Sequence, residues 1–253
     1  MSIFGFRPNR QSPLKVYNRT PSMQTARIAE LLQPFLGPAG EDRLTEDLLL
    51  SISMYIDILV HWNARLNLTA IRDPEEIVTR HFGESFFAAR HIFSSARRVP
   101  TASQNVGVAD DQRPTTNARL ADLGSGAGFP GIPIKLWTPD ITLTLIEANQ
   151  KKATFLREVV RTLKLENVDI QNVRAETIGS SRFDVITLRA VERLGEVLPI
   201  AGSLLANGGK LALLISEPQL RSIRLALSAF DWDAPIPIPL SKSGFFMLGS
   251  RQT

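Results

Sequence analysis

Apolar side chains change their spacing partway along the 253-residue chain, and the change separates two kinds of element. From Leu44 to Trp62 they fall at 44, 48, 52, 55, 59 and 62, the three-and-four rhythm of a helix with one buried face. A second helix is predicted to start within RDPEEIVTRHF. Asp73 suits the cap, Pro74 the first helical position, and Glu76 stands where its carboxylate can reach back to the cap amide. Later the rhythm shortens: ARLADLG, ITLTLIEA, VDIQNVRA, FDVITLRA and GKLALLIS are strand-like runs rich in Val, Ile, Leu and Thr. Helical segments lie between them. NQKKATFLREVVRTLK sets Ala153, Leu156, Val160 and Leu163 on one stripe, and ERLGEVLPIAGSLLANGG is closed by Asn207-Gly208-Gly209. Such alternation predicts an α/β fold, a mostly parallel sheet with helices on both faces. GFFMLGS adds one more strand near the end, expected to run antiparallel.

The same pattern divides the chain. Residues 1–21 are polar, basic and without periodicity, and read as a disordered extension. Residues 22–93 form an N-terminal helical cap. Residues 94–118, rich in Ser, Thr, Asn, Gln and Pro, form a polar surface connector, and 119–253 form the α/β domain.

Composition narrows the classes open to it. At 43% apolar and 21% charged the chain reads as soluble and globular. No apolar stretch approaches the roughly 20 residues of a membrane span, and the N-terminus lacks a signal peptide's apolar centre, so a cytoplasmic location away from membranes is expected. The absence of cysteine excludes disulfides and thiolate metal sites, and His61, His81 and His91 are too scattered to suggest a metal centre. A net charge of +4 points weakly to an anionic partner.

The candidate chemistry lies in LADLGSGAGFPGIP, residues 120–133. It follows a strand, opens a helix, and contains Gly124, Gly126 and Gly128, which permit turns and close approaches that a side chain would block. A carboxylate at the end of the next strand, Glu147, can accept both hydroxyls of a ribose, so the pair suggests a nucleoside-containing cofactor. A dinucleotide site wants G-x-G-x-x-G, but Phe129 occupies the third glycine position. With Asp122 ahead of the turn, acid-x-G-x-G-x-G fits S-adenosylmethionine instead, Asp122 lying near its methionine end. VRAET brings Ala175 and Glu176 toward the adenine, although Glu176 is equally readable as a solvated surface acid. ITLRAVERL puts Arg189 at the functional edge of the sheet. Lys151, Lys152, Arg157 and Arg161 read as an exposed helix face.

With WNARLNLTAIRDPEEIVTRHF at 62–82, LADLGSGAGFPGIPIKL at 120–136 and ITLRAV at 186–191, the chain resembles the RsmG (GidB) family of bacterial ribosomal RNA methyltransferases from about Leu44 through Gly209. The resemblance implies a class I S-adenosylmethionine-dependent methyltransferase: a Rossmann-like, mostly parallel seven-stranded sheet behind an N-terminal helical cap. It implies methylation of N7 of a guanine in the 530 loop of 16S rRNA, with 16S rRNA or the small ribosomal subunit as partner; a monomer is expected. The cofactor contacts implied are Gly124, Phe129, Ala175 with Glu176, and Arg189, while Glu147 matches the ribose-binding acid. Arg80 and His81 match a pair facing the cleft and, with Arg189, are the candidates for a catalytic part. Arg65, Asn67, Arg72, Arg80 and Lys135 are the candidate RNA contacts. Guanine N7 offers a lone pair without losing a proton, so the reaction needs alignment rather than a strong general base. Alternatives are another nucleic-acid methyltransferase, a NAD-dependent dehydrogenase, and an inactive ribosome-binding homologue.

Two departures stand out. The family usually reads R-H-x-x-D-S where this chain has Arg80-His81-Phe82-Gly83-Glu84-Ser85, with a longer carboxylate and a helix-weakening glycine. Many members carry Lys-Gly after the fifth strand, where this chain has LLISEP.

Overall fold

In the computed structural model, which describes residues 23–38, 40–93, 117–179, 183–190, 194–220 and 230–251, α1 (Thr25–Leu36) buries Ile28, Leu32, Phe35 and Leu36. The extension 1–21 and nearly all of the connector 94–118 lie outside these residues. Thr45, extended at φ −66° and ψ 155°, accepts a hydrogen bond from Leu48 N and so opens α2 (Glu46–Leu66). Asn67 closes that helix in the left-handed region at φ 47°. Asp73 then caps α3 (Pro74–Ile77) by accepting from Glu76 N at 2.8 Å, as the sequence predicts.

A π-helical turn, Val78–Gly83, joins α3 to α4 (Glu84–Phe93). Gly83 is required there by packing: a Cβ would lie 2.5 Å from ring carbons of Phe35, so only glycine lets α1 sit against the turn. In this turn Glu84 N donates to the carbonyls of Thr79 and His81. The regular α-helical partner, the carbonyl of Arg80, is passed over.

The sheet contains β1 (Arg119–Leu123), β2 (Thr142–Ile146), β3 (Val168–Gln171), β4 (Phe183–Arg189), β5 (Leu205–Ser216), β6 (Phe230–Trp232), β7 (Ile236–Pro237) and β8 (Gly244–Arg251). Their order is β3-β2-β1-β4-β5-β8-β6, with the two-residue β7 also paired to β8. The first five strands are parallel, and β8 runs antiparallel to β5. From β1 the chain steps outward through β2 to β3, then returns to place β4 on β1's other side. The carboxyl ends of β1 and β4 therefore flank the switch point where open α/β sheets bind ligands.

Alternate residues serve opposite faces. Leu120 of β1, Ala212 and Leu214 of β5 and Phe246 of β8 belong to one apolar cluster, with α5 (Gly131–Trp137), α6 (Gln150–Thr162) and the N-terminal helices. Ala121, Leu123, Leu211, Leu213 and Met247 belong to the other, under α7 (Leu194–Leu204). Helices thus cover both faces, and the N-terminal helices share one continuous core with the sheet.

Asn207-Gly208-Gly209 do not close α7. The helix stops at Leu204, and β5 begins at once with Leu205. Leu204 and Leu205 are both buried, so the chain must reverse inside the core. The slack is taken up within the strand: pairing slips between Phe183↔Leu205 and Val185↔Lys210, and Gly208, at φ 70°, lies in the bulge.

Candidate functional site

The glycine loop grows directly from the sheet. Gly124 N and Ser125 N donate to Ile146 O at 2.9 and 3.1 Å, which fastens the turn to the end of β2. Gly124, Gly126 and Gly128 all have positive φ (69°, 54° and 85°), but they face different surroundings. A Cβ on Gly124 would meet nothing within 4 Å. That open side borders a cleft of about 250 Å³ lined by Leu123, Ile146, Ala148, Val173, Ala175 and Val197, with Arg174 and Glu176 at its edge. A Cβ on Gly128 would collide with Tyr55 Oη.

Glu147 braces this loop. Its Oε2 accepts from Gly126 N at 2.8 Å and its Oε1 from Asn149 N at 2.7 Å, leaving a lone pair on each oxygen. Asp122 sits beneath the loop rather than at its open side. Its Oδ1 accepts from Thr187 Oγ1 at 2.7 Å and its Oδ2 from Gly131 N at 3.3 Å, tying β1 to β4 and to the start of α5. Burial pushes its carboxyl up to about 6, although these hydrogen bonds oppose the shift.

The other side of the loop leans on the N-terminal helices. Tyr55 Oη donates to Ala127 O at 2.5 Å. The Phe129 ring lies between Tyr55 (centroids 5.2 Å apart, 9° between planes) and His81 (4.4 Å, 14°), with Phe82 edge-on at 5.3 Å. The Phe129 side chain is thus committed to packing. His81 Nε2 is 2.9 Å from Thr69 Oγ1, and Thr69 is itself fixed by two backbone bonds to the Asn63 side chain. Burial, with Arg189 and Arg80 close by, holds the His81 pKa well below the usual imidazole range, so the ring is neutral. Its buried Nδ1 has no partner among the described residues.

Arg189 emerges from β4 beside this stack. Leu123 pairs with Leu188 across β1 and β4, so Gly124 and Arg189 are the next residues along adjacent strands. Arg189 Nη2 donates to Glu84 Oε2 at 2.7 Å and to Arg80 O at 2.5 Å, the carbonyl that the π turn leaves aside. Arg80 Nε donates to Glu84 Oε1 at 2.7 Å. These three residues border a second cleft, of about 210 Å³, completed by Ser216, Ile238 and Ser243.

Of the residues singled out in the sequence, Gly124, Ala175 and Glu176 line the first cleft, and Arg80 and Arg189 the second. Gly126, Gly128, Phe129, Asp122 and Glu147 line neither cleft and instead form or brace the glycine loop. Arg65, Asn67 and Arg72 are exposed near the C-terminal end of α2. Glu84, Tyr55, Asn63 and Thr69 were missed as site residues. For Glu84 the sequence did offer a signal, an acid three residues after His81 in the RHFGES block.

Lys135 is not an RNA contact. It is 3% exposed, and its Nζ donates to Pro139 O at 2.6 Å and Ile141 O at 2.5 Å. It lies in the last turn of α5, near the amino end of β2, so it closes the α5–β2 connection at the opposite end of the sheet from the glycine loop. Lys135→Ala is expected to leave RNA affinity and its salt dependence unchanged while lowering stability by about 1–3 kcal/mol per stranded carbonyl. Filter binding across a salt series and a thermal melt check both parts.

Comparison with known proteins agrees with this layout. The fold is similar to that of a ribosomal protein L11 methylase from Lactobacillus delbrueckii subsp. bulgaricus: TM-score 0.51, 18% identity, covering 68% of this chain and 80% of that one. That likeness identifies the class I methyltransferase fold. The ribosomal RNA small subunit methyltransferase G of Xylella fastidiosa (strain M23) is 40% identical over 158 residues, 62% of this chain; the match spans 64% of the relative's length, just under two thirds. The protein of the same name from Stenotrophomonas maltophilia (strain K279a) is 38% identical over 220 residues, 87% of this chain and 91% of its own. Residues 49–230, which carry most of α2, the π turn, the glycine loop and Arg189, match a single family over more than half of the chain. The chain therefore belongs to the GidB family, the rRNA small subunit methyltransferase G proteins.

Proposed function

We propose that this chain transfers the methyl group of S-adenosylmethionine to N7 of a guanine in the 530 loop of 16S rRNA. The observation that carries this reading is the pair of clefts at the ends of neighbouring strands, one bordered by Gly124 and the other by Arg189. The first cleft fits the cofactor. Its apolar walls, Ala148, Val173 and Ala175 among them, suit a flat adenine; the open sides of Gly124 and Gly126 admit a ligand against the backbone; and Glu147 keeps lone pairs for ribose hydroxyls.

Bound there, S-adenosylmethionine supplies a methyl group activated by its sulfonium. The chain's own part is placement. Asp122 and Glu147 fix the loop, and the Phe129 stack fixes its outer side. Arg189 is immobilised by Glu84 and Arg80, facing the second cleft, which takes the guanine. A neutral His81 fits this chemistry, because N7 carries no proton to remove. Exposed Arg65 and Arg72 supply phosphate contacts.

No helix among the described residues is long and apolar enough to cross a membrane. The reading places the enzyme in the cytoplasm as a monomer, acting on free 16S rRNA or on the small subunit.

The test uses purified protein, labelled S-adenosylmethionine, and two substrates from cells lacking the gene: naked 16S rRNA and intact small subunits. Label is expected at a single guanine N7, a position whose methyl group is absent from rRNA of cells without the gene and present in cells with it. Transfer to neither substrate, or label on another base, would overturn the proposal.

A further inference from the structure

We infer that Glu84 is a positioning residue for the transfer step: its buried carboxylate locks Arg80 and Arg189 in place and offsets their charge where the methylated guanine becomes a cation. The inference rests on the methyl-transfer reading above.

The geometry is specific. Glu84 is 5% exposed, and each of its carboxylate oxygens accepts from a different arginine at 2.7 Å. It comes from the first turn of α4, and Arg189 from the end of β4, 105 positions away. The π turn contributes as well. Because Glu84 N donates to Thr79 and His81, the Arg80 carbonyl is available to Arg189 Nη2, and one guanidinium nitrogen is held from two directions. Arg189 cannot swing without giving up both bonds. Glu84 is also the one acid among the described residues bordering the second cleft.

The reaction gives that acid a task. The N7 lone pair forms the new bond to the methyl carbon while the carbon–sulfur bond breaks and its electron pair goes to sulfur. No proton moves. Positive charge leaves the sulfur and appears on the imidazole ring of the guanine, beside two guanidinium groups. Without Glu84 that trio stands at +3; with the carboxylate the net is +2. Beside a carboxylate as buried as that of Glu84 this difference is felt more strongly than in bulk water. A purely structural pairing would not need a charge here, since apolar side chains of matching volume usually replace buried ion pairs without loss.

The test compares Glu84→Gln and Glu84→Asp in the full chain, with kcat and KM for rRNA measured at saturating S-adenosylmethionine and folding followed by thermal melts. Glu84→Gln is expected to lower kcat on the order of tenfold to a hundredfold, less than the roughly 10²–10³ found when a pre-placed group facing the reacting atoms is removed, because Glu84 acts through the two arginines. Its KM for RNA should stay level or fall, because the cleft becomes more positive toward phosphate. Glu84→Asp keeps the charge and should recover most of the lost kcat. A wild-type kcat in Glu84→Gln would overturn the inference, as would equal losses in both variants together with a raised KM. Should Glu84→Gln not fold, Glu84→Asp decides: a folded Asp variant with kcat as low as Arg189→Ala overturns it. If the wild-type protein methylates no rRNA, it is the parent reading that fails.

Discussion

Arg189→Ala is expected to lower methyl transfer by about a thousandfold and to melt well below the wild type. Two effects combine. The guanidinium that borders the second cleft is lost, and removal of a pre-placed electrostatic group typically costs about 10²–10³ in kcat. The remaining partners are also damaged. Glu84 keeps only Arg80, whose side chain is 44% exposed, and the Arg80 carbonyl loses its donor. Breaking a buried pair by removing one member costs about 3–5 kcal/mol, and the lower end applies because Arg80 remains. Arg189→Lys keeps the charge and should melt closer to wild type yet recover little activity, since a compact ammonium that takes over the two bonds of Nη2 lacks the planar guanidinium bordering the second cleft. Circular dichroism melts and labelled methyl transfer, run on both variants, check the two parts separately. An Arg189→Ala protein that melts with wild type and retains a tenth of its activity would contradict the arrangement described.

The second large effect separates two glycines that look equivalent in the sequence. Gly128→Ala must accept a Cβ at φ 85°, placed against Tyr55 Oη and 2.7 Å from Ile132 Cδ1. Left-handed strain of about 1–2 kcal/mol adds to overpacking of about 1–3 kcal/mol, so a loss of roughly 3 kcal/mol is expected. The displaced Tyr55 also releases Ala127, so the loop loosens and cofactor affinity falls with stability. Gly124→Ala has the same kind of backbone (φ 69°) but open space beyond its Cβ. It should cost only about 1–2 kcal/mol of stability. Its added methyl enters the first cleft, so S-adenosylmethionine affinity should drop by tenfold or more for that small change in melting, a fall equal to about 1.4 kcal/mol. Calorimetric titration beside thermal melts distinguishes the pair. Equal ratios of affinity loss to stability loss would show that both glycines serve the fold alone.

Much of this layout was legible in the sequence where the cause is local. The cap at Asp73, the stripe on α6 and the strand–glycine–helix order of the loop follow from neighbouring residues, and the family blocks located Arg189 at a strand end. What was missed depends on chain segments meeting from far apart. Lysine is almost never fully buried unless its ammonium is satisfied, and the two carbonyls that satisfy Lys135 come from a loop whose path no periodicity reveals. Gly83 looked like a weakness of a helix until Phe35, 48 positions earlier, was seen to need its space. Glu84 stood out only as a longer acid, because the strand end that it grips lies across the fold. Asn207-Gly208-Gly209 carries the signature of a helix stop, but the burial of Leu204 and Leu205 overrode it.

The ring of Phe129 touches Tyr55 from α2, and His81 and Phe82 from the π turn, so four positions spread over 75 residues share one volume. Interiors packed at crystal density do not tolerate independent changes of size at such positions. Positions 55, 81, 82 and 129 should therefore drift through evolution as one inherited character, changing together or not at all. Recombination that brings the helices of one lineage to the sheet of another would break this match beside the glycine loop, where a mismatch of one methylene reaches the loop backbone through Phe129 and Tyr55. The helical part and the sheet are, in that sense, a single heritable unit.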